Sequence, residues 1–185
     1  GRCATAGAGI DLSVRPVPEA AGNLALRRPA TASSVFAVPK GSVVLHTPDR
    51  GNDGDESTCW GSRDNHITPD PGAWWQVDLG QPCVSSRVEL VARQDRYDQF
   101  AARAGFEVRG SSRPDGADAV VLARHAGPPF PQYGTWAADV TERKPFRYLR
   151  VVQTKAEYFG FAELRAFGRP GSAPGAVPPA PERER

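Results

Sequence analysis

The densest set of side chains capable of chemistry lies in one short acidic loop. The segment PDRGNDGDES places Asp49, Asn52, Asp53, Asp55, Glu56 and Ser57 close together. Calcium takes six to eight oxygens, many of them backbone carbonyls, and such a loop can supply them. It is not an EF-hand, because the twelve-residue spacing and its terminal Glu are missing. The same composition also suits a solvated acidic turn. Ser, His and Asp residues are present, but no GxSxG, HExxH or phosphate-loop pattern occurs, and His46, His66 and His125 lie far apart. The three cysteines, Cys3, Cys59 and Cys83, have no CxxC spacing, which argues against zinc. Their odd number predicts one disulfide and one thiol that is free or partnered elsewhere, with the pairing open. The expectation is a binding module and not an enzyme.

Any such loop has to be held by a rigid scaffold. Of the 185 residues, 39 % are hydrophobic, enough to build a core. The formal net charge is +2 with the basic residues scattered, so the basic stripe of a nucleic-acid binder is missing. No apolar run reaches membrane-spanning length, and no signal-peptide pattern opens the chain. The sequence reads as a mature fragment or an excised domain of an extracellular protein, with its export signal upstream. Residues 169–185 hold five prolines and no aromatic residue, and are expected to be a disordered tail or linker. Residues 1–22 are expected to be a linker or the end of a preceding domain. The globular part is residues 23–168.

Within that part the pattern is of strands. Trp75, Val77 and Leu79 alternate with Gln76 and Asp78, and Val88, Leu90 and Ala92 with Glu89 and Val91. Phe106 and Val108 alternate with Glu107 and Arg109. Residues 147–153 are rich in Tyr, Leu and Val, and 162–167 alternate again. Clusters of Gly, Pro, Asn and Asp separate the runs. Short alternating strands between turn-rich loops predict an all-β, antiparallel sandwich or barrel.

Four segments carry a family resemblance. NLALRRPATASS resembles the opening strand of discoidin domains, also called coagulation-factor type C domains. DRGNDGDESTCW resembles their Asp-Gly-Asn turn, GAWWQVDLG their most recognisable strand, and FRYLRVVQT with YFGFAELRAFG their closing strands. The resemblance implies an antiparallel jelly-roll β-sandwich with ligand-binding loops at one end. That family includes fucose-binding F-type lectins, galactose-binding carbohydrate modules, and membrane or collagen binders.

F-type lectins are similar to this chain at one further place. Their signature is a His, a gap, Arg-x-Asp, and then a second basic residue. His66 lies 27 positions before Arg93, and Arg93-Gln94-Asp95 supplies the Arg-x-Asp. Counted from Cys59 instead, the histidine position falls near Trp60 or Gly61. Phe100 stands where the second basic residue is expected, and Arg103 is the nearest candidate. Arg96 and Tyr97 replace a vicinal cysteine pair found in many F-type lectins. The implied ligand-binding residues are His66, Arg93, Asp95 and Arg103, with Tyr97 and Trp60 to cover the apolar face of a sugar ring. Trp60 also fits the core position that discoidin domains give to a Trp after this turn. Arg offers a rigid fork of donors to sugar oxygens, and Asp95 can fix it by a charge-assisted bond.

The resemblance further implies a structural calcium ion held by Asp49, Asn52, Ser57, Glu163 and the Ala162 carbonyl. The partners implied are glycans or glycoconjugates and no nucleic acid, with a homo-oligomer or tandem array raising avidity. The rival reading is a cell-adhesion discoidin domain for phospholipid or a protein, with Val35, Phe36, Val38 and Lys40 at a loop tip.

Overall fold

The structure, a computed structural model, describes residues 22–36, 46–63, 72–95, 103–155 and 158–171. Every regular element among them is a strand except one 3-10 turn, Pro48–Gly51. The strands are β1 (Ala30–Ala32), β2 (Trp60–Gly61), β3 (Trp74–Val91), β4 (Phe106–Ser111), β5 (Val120–His125), β6 (Thr135–Asp139), β7 (Phe146–Gln153), β8 (Gly160–Phe161) and β9 (Glu163–Pro170). All pairings are antiparallel.

The long strand β3 organises the fold by serving two layers. Its first half, Trp74 to Asp78, pairs with β1 on one edge and with β7 on the other, and the layer continues through β4 to β5. Its second half pairs with β9, and at Arg87–Val91 also with β6. Between the halves, Gly80 takes φ +82° and the register with β7 slips. A glycine and a slip at this point let one strand bend from one layer into the other.

The alternation predicted from the sequence is what fills the space between the layers. Trp75, Val77, Leu79, Val88, Leu90, Phe106, Val108, Leu149, Val151, Leu164 and Ala166 form one buried cluster. The polar residues between them are satisfied outside it. Asp78 takes two bonds of 2.8 Å from Arg147. Gln76 accepts from Arg150 Nε at 2.9 Å, and that guanidinium lies 4.2 Å from the centroid of the Trp74 ring. The strands β5 and β6 fall outside the predicted runs. The residues of β5 alternate little in burial, because it is the edge of its layer.

The small pair β2–β8 closes the end of the sandwich where β3 stops. Ser62 N donates to Phe159 O at 2.7 Å, and Phe159 N returns a bond to Ser62 Oγ at 3.0 Å. Ala162 N donates to Val91 O at 2.9 Å, fastening this pair to the last residue of β3. Trp60, Phe159, Phe161 and Trp75 pack edge-on or tilted beneath it, with ring centroids 5.4–5.9 Å apart. The aromatic plug makes this end of the sandwich a firm base for whatever projects from it.

Candidate functional site

Arg93 stands two residues beyond the end of β3, over the β2–β8 pair. The turn that carries it is pinned. Ala92 N donates to Gly134 O at 2.9 Å, and Gln94 Nε2 donates to Ala92 O at 2.8 Å and to Tyr133 O at 3.2 Å. Arg93 is only 6 % exposed. A buried guanidinium has to be compensated. Nη2 meets Asp95 Oδ2 at 2.7 Å, and Nη1 donates to Tyr158 Oη at 2.5 Å. Nε is buried with no partner among the described residues. Burial pushes the Tyr158 phenol up to about 12, so its hydroxyl stays protonated at ordinary pH.

Tyr158 reaches Arg93 because two glycines make room for it. Gly61 and Gly160 face each other in the β2–β8 register. A Cβ at Gly61 would lie 2.5 Å from Tyr158 Oη, and one at Gly160 would lie 2.8 Å away. The pair forms a notch that the phenol fills. Beside it His46 is 8 % exposed, with Nδ1 3.1 Å from Cys59 Sγ and its ring edge-on to Phe36 at 5.3 Å. Burial first and the Arg93 charge second lower the His46 pKa below its ordinary 6.5, so the imidazole is neutral at pH 7. Burial pushes the Cys59 thiol up to about 11. His46, Cys59, Arg93, Asp95 and Tyr158 thus form one polar cluster at the loop end of the sandwich. It joins a fixed cation, a neutral imidazole and a phenol hydroxyl, all able to hydrogen-bond a polyhydroxylated ligand.

Of the residues expected to bind ligand, Arg93 and Asp95 are brought together as an ion pair. His66 and Tyr97 lie outside the described residues. Arg103 is buried, and its guanidinium donates to the Phe130 carbonyl. Trp60 requires a correction: it is 0 % exposed, with Nε1 donating to Ser34 O at 3.2 Å, so it is a core residue and offers no face to a sugar. His46, Cys59 and Tyr158 were not singled out from the sequence for this site. One signal pointed near them, since counting from Cys59 places the family's histidine at Trp60 or Gly61. Gly61 has no side chain, and the Tyr158 hydroxyl takes the space one would need. Cys59 and Cys83 are both buried free thiols, so they are not bonded to each other; Cys3 lies outside the described residues. Of the rival loop-tip residues, Val35 is exposed and Phe36 is half-buried against His46; Val38 and Lys40 lie outside the description.

The acidic loop presents a second group of oxygens. Glu163, at the start of β9, is fully buried; Oε1 accepts from Gly54 N at 2.9 Å and Oε2 is buried without a partner. The carboxylate that meets it is Asp53, not Asp49. Thr58 Oγ1 bonds Asp53 Oδ2 at 2.9 Å and Asp55 O at 3.0 Å. Burial first, then Asp53, pushes Glu163 up to about 7. The expected ligands Asp49 and Ser57 are exposed instead, and the Ser57 hydroxyl is turned to Asp55 Oδ1 at 2.6 Å. Asn52 is buried, its amide donating to Ala25 O and Arg28 O while Oδ1 has no partner. Ala162 is buried next to Glu163. Among the described residues no three His, Cys, Asp or Glu side chains gather to hold a metal. A cation here would rest on two carboxylates, with hydroxyl and carbonyl oxygens completing the shell. Two facing carboxyls with an unpartnered buried oxygen fit a hard cation of that kind.

Comparison with known proteins bears on the fold and on the family. No curated protein is a significant match to the sequence. Among solved structures, a fucose-binding module of Streptococcus pneumoniae superposes with a TM-score of 0.59 at 21 % identity, covering 80 % of this chain and 95 % of that one. A chitosan-binding module from a chitosanase/glucanase of Paenibacillus sp. IK-5 gives 0.61 at 22 % identity, over 80 % and 99 %. A fucolectin from striped bass serum (Morone saxatilis) gives 0.64 at 21 % identity, over 81 % of this chain and 48 % of that one. At these identities the likeness is one of fold, the galactose-binding-like β-sandwich. The sequence profile of the F5/F8 type C, NedA-like, galactose-binding domain matches residues 50–151, more than half of the chain, and the protein belongs to that family.

Proposed function

We propose that this protein is a non-catalytic carbohydrate-binding module that takes a fucose- or galactose-type glycan at the Arg93 end of the sandwich. The observation that carries the reading is the Arg93 fork itself. It is buried at the loop end, aligned by Asp95 and Tyr158, and its donors are fixed before any ligand arrives. A guanidinium held in one orientation presents a rigid pair of N–H groups to neighbouring sugar oxygens, and less ordering entropy is lost on binding. Membership of a galactose-binding family supports it, as do the fucose, chitosan and fucolectin names of its structural neighbours.

A structural calcium ion belongs to the same proposal. Asp53 and Glu163 would hold it, with Thr58 Oγ1 and loop carbonyls, Ala162 among them. Bound there, the ion would neutralise the two facing carboxyls and fasten the acidic loop to β9. In this reading the module would work in an extracellular setting, where its glycan partner would be met.

The test is binding to a glycan array with competition by free L-fucose and by free galactose. Binding to fucosylated or galactosylated glycans that either sugar displaces is the expected result. No glycan binding, together with binding to anionic vesicles that salt weakens, would replace this reading with the membrane one.

A further inference from the structure

The cluster around Arg93 holds a second polar group that ordinary motif reading passes over. His46 comes from the segment ahead of the 3-10 turn, Cys59 from just before β2, and Arg93 from just beyond β3. The fold brings all three together. His46 Nδ1 is engaged by Cys59 Sγ at 3.1 Å, and Phe36 stands edge-on to the ring. The Cys59 backbone also hydrogen-bonds the ring, and no residue other than Cys59 does so among the described residues; Nε2 is not among the buried polar atoms left without a partner. An imidazole held on its Cys59 side has the form of a positioned ligand group.

We infer that His46 is a second glycan-contacting residue of this site, with Nε2–H directed to a sugar oxygen, and that the Cys59 thiol is the positioning residue that holds its ring. The inference rests on the Arg93 reading and adds to it. In this arrangement the protonated thiol would donate to Nδ1, and the imidazole proton would then sit on Nε2. Among the described residues the charged and titratable groups around the ring are Arg93, Asp95 and Cys59. With Arg93 already cationic, a neutral imidazole adds a donor without a second positive charge. The thiol is then a structural hydrogen-bonding group and not a nucleophile.

The test uses calorimetric titration of the whole chain with L-fucose, galactose and glucosamine, and repeats it on variants with the sugar that binds. His46→Ala should weaken binding about tenfold or more, and His46→Gln, which keeps an N–H donor, should recover part of it. Cys59→Ser should stay within about twofold of the parent, whereas Cys59→Ala should lose binding like His46→Ala. The bound sugar should also slow alkylation of Cys59 by iodoacetamide more than it slows alkylation of the buried Cys83, as read by peptide mass spectrometry. That last comparison needs no variant to fold. If Arg93→Ala abolishes binding while His46→Ala binds like the parent and sugar leaves Cys59 unprotected, this inference is overturned and the Arg93 reading stands. If no sugar binds the parent chain, both fall.

Discussion

At the scale of single residues, the site is built from charges and hydrogen-bonding groups that burial makes sensitive to their partners. His46 illustrates this. Its pKa is lowered in the folded chain by burial and by Arg93, with a hydrogen bond to the Cys59 backbone and then the Asp95 charge opposing. The unfolded chain therefore takes up a proton near pH 6.5 that the folded chain resists. The stability held in the neutral imidazole is fully present above that pH and is lost as pH falls through and below it. Urea midpoints measured from pH 8 to pH 5 should fall on the acid side, and His46→Gln should remove part of the slope. An equal slope in the variant would show that another group dominates. The Arg93–Asp95 pairing was legible from the sequence because Arg-x-Asp closes an alternating run. His46 was not, because its role depends on Cys59 and Arg93, which lie in other segments of the chain.

At the scale of elements, the strand ladder was legible wherever one face is buried. The runs at Trp75–Leu79, Val88–Ala92, Phe106–Val108 and along β7 and β9 alternate because their inward side chains share one core. The strand β5 gave no such contrast, since an edge strand buries little on either face. The two-residue strands β2 and β8 are too short to show any period. Yet their paired glycines decide where Tyr158 sits. Gly61→Ala would place a methyl group 2.5 Å from the Tyr158 hydroxyl. The phenol must then leave Arg93 Nη1, and the guanidinium loses one of its two anchors. Sugar affinity should fall about tenfold, or ~1.4 kcal/mol, with the far-ultraviolet circular dichroism unchanged. Unaltered affinity in Gly61→Ala would mean that the Tyr158–Arg93 bond plays no part in binding. The calcium loop shows the limit of local reading. Spacing within PDRGNDGDES identifies a set of oxygens, but which one meets Glu163 is set by β9. The Gly54–Glu163 bond closes a separation of 109 residues.

At the scale of the whole molecule, the sandwich is a stand for its loops. β3 links both layers and ends two residues before Arg93, so the site inherits the rigidity of the core. Calcium would add to that rigidity by joining the acidic loop to β9. A ligand that binds only the folded state stabilises it by about 2.7 kcal/mol at ~100 times its dissociation constant. That corresponds to a rise in Tm of several degrees for a domain of this size. Differential scanning fluorimetry should show the rise with calcium, its reversal by a chelator, and its absence in Glu163→Gln. A Tm indifferent to calcium and chelator would remove the ion from the account.

The central claim is that Arg93 anchors a sugar. Its most direct test is calorimetric titration of the chain with L-fucose and with galactose, beside Arg93→Ala and Arg93→Lys. Saturable binding of at least one sugar, abolished in Arg93→Ala and not recovered by the single-point cation of Arg93→Lys, is the predicted result. Binding that survives unchanged in Arg93→Ala would place the sugar elsewhere on the molecule, and no heat with either sugar at millimolar concentration would contradict the account.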